Sequence, residues 1–546
     1  MTSLIPKLKQ PRELLNHILD LPELPAIVQN LDAGVLTKLI RHVGLEDSAQ
    51  IVSLVTADQL KDLLDEDLWH SEAPGRDETF NAERFGLWLE VMMENGSAFA
   101  ARKVMELDED LVTLGLCQLV VVVGIHDPAL RAGDDQWPGN DNILEKVLDN
   151  SLNQEFGTYL MIAKNESSWD TVYALMTALN ESDYDMLIRL LDRCRWISGE
   201  QIEDNGGLYH VLTADEMLAE DVSSERQERR EGRGFVTPTS AAVFLSQARS
   251  TPLQEIIAAK TMDHITRAYF KTAEMETKPA VRSETGDKTS KEGVSESTDL
   301  EVIRFIQTLR RAEVLPASDR KRLRYDGAES WDHSLPLTRA MRLIDQTDPD
   351  LCSQRLMELS YLSNTLISGC GFQGRAFQPK EAAEAALAVC NLGSEYLFKT
   401  DAEPEENQPI NPWTALLKVH HLVKLFQVGW KILFDDVVLH TAQAVLEFIN
   451  QLNDEMRDPE QVYEMTQMSN MLCLYILSGR PWEFNDQIDY LQIFLDGETT
   501  MAIARLLQEY PTLSKAICKK GGHRLSPFIR SQTHIKSIRR YLKDEL

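Results

Sequence analysis

Leu31-Asp32-Ala33-Gly34-Val35-Leu36-Thr37-Lys38-Leu39-Ile40 holds the pattern that decides the fold. An apolar residue precedes a capping residue, and apolar residues return four and seven places on. Leu31-Asp32 leads to Leu36 and Leu39, Val55-Thr56 to Leu60 and Leu63, and Leu107-Asp108 to Leu111, Val112 and Leu114. Asp and Thr start helices because a side-chain oxygen accepts a free backbone N–H of the first turn. Leucines three or four residues apart then give each helix one apolar face. Helices this short cannot bury that face alone and must stack on their neighbours. The spacing predicts a superhelix of short helices from Leu21 to Leu116.

Working outward, residues 13 to 117 read as helical, with a Pro-, Gly- and Asp-rich break between Trp69 and Phe85. Thr56-x-x-Gln59 is a capping box. The β-branched run Val120 to Val123 predicts a strand, and Phe156 to Ile162 a second one that pairs with it. A turn-rich loop, Asp127 to Asn142, lies between them. Helices resume near Ser168. Asn180 to Leu191 repeats the capped pattern, and Thr213-x-x-Glu216 is another capping box. A charged run, Ser224 to Arg233, precedes helices over 238–249 and 252–271. Residues 274 to 298 contain no Leu, Ile or aromatic residue, so they read as a disordered linker.

Beyond the linker, helical spacing returns in Leu300 to Ala312, Leu335 to Ile344, Leu351 to Ile367, Pro379 to Leu392, Trp413 to Phe434 and Val437 to Leu452. Asp458-Pro459-Glu460-Gln461 combines an N-cap, a proline at N1 and a capping-box Gln. The fold class expected is mainly α, with two helical lobes. The N-terminal lobe is a short-helix superhelix with a small β insert, and the C-terminal lobe a bundle or solenoid. Its boundaries are 1–118 for the superhelix, 119–273 for the insert and following helices, 274–298 for the linker and 299–546 for the C-terminal domain.

The net charge of −30, from 86 acidic and 56 basic side chains, argues against a general nucleic-acid binder. It keeps the chain in solution or offers an acidic docking face. The seven cysteines are widely spaced and form no C-x-x-C, which points to reduced thiols rather than a disulfide framework or zinc site. No secretory signal follows Met1, and the run Leu119 to Val123 is too short to span a bilayer. Lys543-Asp544-Glu545-Leu546 spells a retention address, but reads as the polar end of a last helix.

The sharpest motif is Gly369-Cys370-Gly371-Phe372-Gln373-Gly374, a literal G-x-G-x-x-G. In a dinucleotide fold it follows a strand. Here helical spacing precedes it, so a glycine turn between helices is the main expectation. An anion site of Gly369, Gly371, Gly374 and Arg375 is the alternative. His420-His421, with His440, is the only histidine cluster, and adjacent helical residues point too far apart to chelate one metal. No metal or cofactor is expected. The basic tail carries Lys519, Lys520, Arg524, Arg530, Lys536, Arg539 and Arg540 with no acidic residue among them. It is the candidate contact for an acidic surface, whether nucleic acid or the acidic N-terminal region.

The stretch Leu21 to Trp69 resembles an uncharacterised bacterial family of large helical proteins, a domain of unknown function. The resemblance extends to Arg226–Pro238, with Gly234-Phe235-Val236-Thr237-Pro238. It extends also to Glu358–Gly393, with Gly374-Arg375-Ala376-Phe377 and Glu381-Ala382-Ala383-Glu384. It implies no catalytic residues. The N-terminal helices are also weakly similar to the cytoplasmic superhelix of bacterial magnesium channels and to flagellar motor-switch proteins, which implies a module for protein contacts. The expected function is a cytoplasmic, non-enzymatic scaffold or adaptor with protein partners, open to homo-oligomers and without membrane insertion. The alternatives are a ligand-binding protein or enzyme with its site near 369–375, and a nucleic-acid-associated factor acting through the tail.

Overall fold

The computed structural model describes residues 10–125, 151–199, 214–259, 261–277, 292–315, 335–401, 412–453, 459–478, 488–521 and 526–546. They are predominantly helical, with a few small sheets. They fall into two compact units. The first lies within Met1–His70, Glu78–Gln227 and Arg282–Tyr325, and the second within Ser71–Asp77, Glu228–Val281 and Asp326–Leu546.

The first unit opens with helices Pro11–Leu19, Leu24–Gln29, Ala33–Val43, Ala49–Val52 and Ala57–Asp67. Asp32 accepts the Gly34 N–H, and Thr56 and Gln59 form the reciprocal box. The Gln59 side chain does more than cap. Its amide donates to the carbonyls of Val28 and Leu31 at 2.8 and 2.7 Å, tying its helix to the end of Leu24–Gln29. The leucines of the capped pattern, Leu36, Leu39, Leu60, Leu63, Leu111 and Leu114, are all buried. The break beyond Leu68 contains a two-residue ladder, Trp69 opposite Phe80 and His70 opposite Thr79.

Helices Ala82–Met93, Ser97–Met105 and Glu109–Leu119 follow, and the last runs directly into strand Val120–Gly124. That strand pairs antiparallel with Tyr159–Ala163, which also pairs with Asn153–Phe156. The single strand expected over 156–162 is therefore a hairpin, turned at Gly157, whose φ of +62° suits glycine. The loop read over 127–142 lies outside the described residues. Helices Trp169–Ser182 and Tyr184–Gly199 follow. Asn180 is inside the first, and the cap of the second is Asp183, which leaves the helical region and accepts the Met186 N–H. Helix Glu292–Arg311 packs on Leu24–Gln29. It and the residues after it add Phe305, Leu309, Ala312 and Leu315 to this core.

The charged run from Ser224 lies within helix Ala214–Gly232, which starts beside the expected capping box; Thr213 itself is outside the described residues. The helix expected over 252–271 is two helices, Leu253–Ala258 and His264–Thr277, because Asp263 caps the second through the Thr266 N–H. His264–Thr277 and Glu292–Arg311 both reach into the segment read as a linker. Each is the polar extension of a helix whose apolar residues lie beyond that segment. Residues 278–291 are outside the description.

The second unit is built on helices Pro336–Thr347, Pro349–Gly369, Pro379–Asp401 and Leu422–Leu433. Pro379–Asp401 and Leu422–Leu433 meet backbone to backbone at Gly393 and Gly429. A Cβ on Gly393 would fall 2.0 Å from the Leu425 oxygen, and one on Gly429 2.0 Å from the Val389 oxygen. The long helix expected over Trp413 to Phe434 is broken into Pro412–Val419 and Leu422–Leu433, and the one expected from Val437 begins at His440 after a π-turn, Phe434–Leu439. Helix Pro459–Ser478 starts at the expected proline. The chain described here finishes in helix Gln532–Glu545, so Lys543-Asp544-Glu545 is its polar end.

Candidate functional site

Helix Tyr184–Gly199 has two unlike faces. Met186, Leu187, Leu190, Leu191 and Cys194 are buried at helical spacing, while Trp196 on the other side is 62% exposed. Arg189 pairs with Glu109 at 2.5 Å, and Arg193 with Asp110. These acids occupy the first turn of Glu109–Leu119, where negative charge suits the helix dipole. The Tyr159 hydroxyl donates a hydrogen bond to Asp192, which raises the phenol above its ordinary range. The helix is thus anchored from three positions, with Trp196 facing out.

The facing wall is helix Ala214–Gly232. Its buried Arg226 donates to the Asp65 carbonyl at 2.6 Å, pairs with Glu78 and lies 4.9 Å from the Trp69 ring. Between the walls is a groove of about 430 Å³ lined by Asp192, Arg193, Trp196, Ile197, Met217, Leu218 and Asp221. Met217 is 40% exposed. The lining combines an aromatic ring and a thioether with the carboxylates of Asp192 and Asp221 and the guanidinium of Arg193. No motif marks this groove; its sequence signal is a tryptophan placed opposite an amphipathic apolar face.

The glycine motif forms a hairpin between two helices. Gly371 pairs with Ala376 and Phe372 with Arg375. Gln373 and Gly374 turn it with φ of 52° and 79°, the signature of a two-residue primed turn. Gly369 ends the preceding helix and Gly371, Gly374 and Arg375 lie in the hairpin, where the Gly371 N–H and the Arg375 guanidinium are engaged. Arg375 gives two N–H groups to Glu381 at 2.8 and 2.7 Å, and the Gly371 N–H donates to Glu509 at 2.7 Å. The arginine in turn holds the Glu381 carboxyl below its usual range.

In the basic tail, Lys519 and Lys520 end helix Lys515–Gly521, and Lys536, Arg539 and Arg540 are exposed on Gln532–Glu545. Lys520 pairs with Asp544 and Glu545, and Arg539 with Asp436. Arg530 is half-buried, which lowers its pKa, and Arg524 is outside the described residues.

The histidine pair marks a helix break. Glu358, buried among Arg355 at 2.6 Å, His421 Nδ1 at 2.6 Å and the Leu422 N–H at 2.7 Å, caps helix Leu422–Leu433. Arg355 also donates to the Leu417 carbonyl that ends the preceding helix. Sequence spacing showed the histidines but not the ion pair behind them. Among the described residues, no group of three or more His, Cys, Asp or Glu could hold a metal, and no helix is long and apolar enough to cross a membrane.

Residues 3–206 match the model of a family of unknown function, DUF6178. The expected likeness to an uncharacterised family is shown over that stretch, which includes Trp196 but not Met217. No curated protein and no solved structure matches the chain. The likeness to the magnesium-channel superhelix and to motor-switch proteins is not shown.

Proposed function

We propose that the chain is a cytosolic scaffold or regulatory adaptor that binds another protein and performs no catalysis. The observation that carries this reading is the Trp196 groove. Large exposed aromatic and Met side chains in a concave, rigidly held site are typical binding anchors. Asp192 and Asp221 line it, and Asp215, Glu216 and Glu220 lie on the same helix as Asp221. The net charge of −30 acts in the same direction at longer range. The partner is therefore a protein segment with an apolar face and basic flanks. A phosphate-bearing ligand at the glycine hairpin would have to displace Glu381 and Glu509. A nucleic acid on the tail would compete with Asp544, Glu545 and Asp436. Both readings rank below the adaptor.

The test is native mass spectrometry of the N-terminally tagged protein purified gently at low salt, alongside Trp196→Ala. The adaptor reading expects a stoichiometric protein partner that is lost in the variant while its melting temperature is unchanged. A partner retained by Trp196→Ala would move the contact elsewhere. A monomer carrying a small-molecule mass would overturn the reading in favour of ligand binding.

A further inference from the structure

Glu358 and His421 do more than divide two helices. The carboxylate is buried, with 5% of its side chain exposed, while the imidazole is 50% exposed. His421 Nδ1 lies 2.6 Å from Glu358 Oε1, the oxygen that also takes a hydrogen bond from Arg355 at 2.6 Å. The Leu422 N–H donates to the other oxygen at 2.7 Å. An ionised carboxylate can only accept, so Nδ1 carries the proton. Arg355, 3.1 Å from Nδ1, is itself a donor directed at the same oxygen. The tautomer is therefore fixed, and in the neutral ring Nε2 keeps its lone pair, made more basic by the carboxylate behind the ring. Among the described residues no hydrogen bond reaches Nε2.

The ring lines a cavity of about 370 Å³ together with Ile256, Ile257, Met262, Val419 and Val423. Its Nδ1 edge faces the buried carboxylate, so the exposed half of the ring is the edge that carries Nε2. Val419 is 72% exposed, which places it at the rim and leaves the cavity open to solvent. Polar side chains that share the walls are directed elsewhere. The Lys424 ammonium donates to the carbonyls of Ile257 and Ala259 at 2.6 and 2.9 Å, and the Gln427 amide donates to Asp263 at 3.1 Å. Against aliphatic and thioether walls, His421 Nε2 is a fixed acceptor backed by a carboxylate. All of these residues belong to the second unit, whereas the Trp196 groove belongs to the first.

We infer that this cavity binds a small neutral aromatic molecule through a phenolic hydroxyl that donates to His421 Nε2. A phenol suits the acceptor for a stated reason. With a pKa of about 10 it is neutral at pH 7, yet its O–H is more acidic than that of an aliphatic alcohol and donates more strongly. A carboxylic acid is ionised at that pH, has no proton to give, and brings a negative charge towards Glu358. The aromatic body packs on the aliphatic walls, and the Met262 thioether favours contact with a ring. A pocket built around one buried-side acceptor also selects against a molecule of the same shape that lacks the donor, because the acceptor is then left without a partner. No bond is made or broken, so the site adds recognition of a small molecule and no chemistry.

The experiment titrates the full-length protein with para-cresol and, separately, with its methyl ether, which has nearly the same shape and no O–H. Saturation-transfer NMR reads binding from the small molecule. The parent protein should bind the cresol and prefer it clearly over the ether. His421→Phe keeps a ring in place and removes the acceptor. It should bind the cresol about tenfold more weakly, the effect of one lost hydrogen bond, and show no preference for it. Val419→Trp leaves His421 intact and fills the rim, so it should weaken both molecules; it also carries the test should His421→Phe fail to fold. The inference is overturned if no saturation reaches the cresol, or if the parent binds the two molecules alike. Cresol binding left unchanged in a folded His421→Phe or Val419→Trp protein overturns it equally.

Discussion

Gly393→Ala probes the backbone crossing at the centre of the second unit. The new Cβ would lie 2.0 Å from the Leu425 oxygen and 2.8 Å from the Gly429 nitrogen. A carbon–oxygen contact needs about 3.3 Å, so helices Pro379–Asp401 and Leu422–Leu433 must separate locally by about 1.3 Å. Gaps of about 0.5–1 Å already forfeit a quarter to a half of a dispersion contact. Buried Val389, Leu425, Phe426 and Val428 line these helices. Overpacking costs about 1–3 kcal/mol, sometimes more, and the obstacle here is backbone, which cannot swing aside. Alanine's helix propensity returns about 0.8–1 kcal/mol. The net loss is about 2 kcal/mol or more, a fall of about 4–8 °C in the melting midpoint of a domain of this size. Calorimetry reads the midpoint, and hydrogen exchange on the two helices localises the loss. Gly497→Ala is the control, because nothing lies within 4 Å of its would-be Cβ. A Gly393→Ala protein as stable as the parent, or more stable, would refute the close crossing.

Glu358→Gln leaves Arg355 buried without its counter-charge and should cost about 3–5 kcal/mol in denaturant unfolding, whereas His421→Ala, on a half-exposed ring, should cost much less. Gln59→Leu keeps the volume but strands the carbonyls of Val28 and Leu31. A loss of about 2–4 kcal/mol is expected in the unfolding of the first unit. Glu231 is half-buried, and burial together with Glu228 raises its carboxyl. A raised folded-state pKa means that ionisation opposes folding, a penalty absent in acid and complete above the raised value. Glu231→Gln should therefore stabilise the protein at pH 7, with the gain vanishing near pH 3.5 in melting curves taken across pH.

Local chemistry was legible where it is contained in a few consecutive residues. Asp32, the Thr56–Gln59 box and the β-branched Val120 run each act through neighbours in the chain. So did the glycine motif, whose lack of a preceding strand marked it as a turn. Breaks set by distant partners were not legible. Nothing near His420 signals that Glu358, more than sixty residues earlier, will cap Leu422 and split a strongly apolar helix. The Trp196 groove depends on helices brought together from separate stretches of the chain, and periodicity carries no record of which helix a face will meet. Gly393 and Gly429 read as weak points in helices until the crossing gives them a partner.

The helix Glu292–Arg311, which lends Phe305 and Leu309 to the core around Leu24–Gln29, bears on how this protein can be dissected. A fragment cut to the family-matched residues 3–206 would retain the capped short helices yet uncover the apolar seat of that helix. Such a fragment should be prone to self-association, and supplying the 292–315 peptide in trans should relieve it. Gene truncations in this region would then report on lost packing in the core of the first unit.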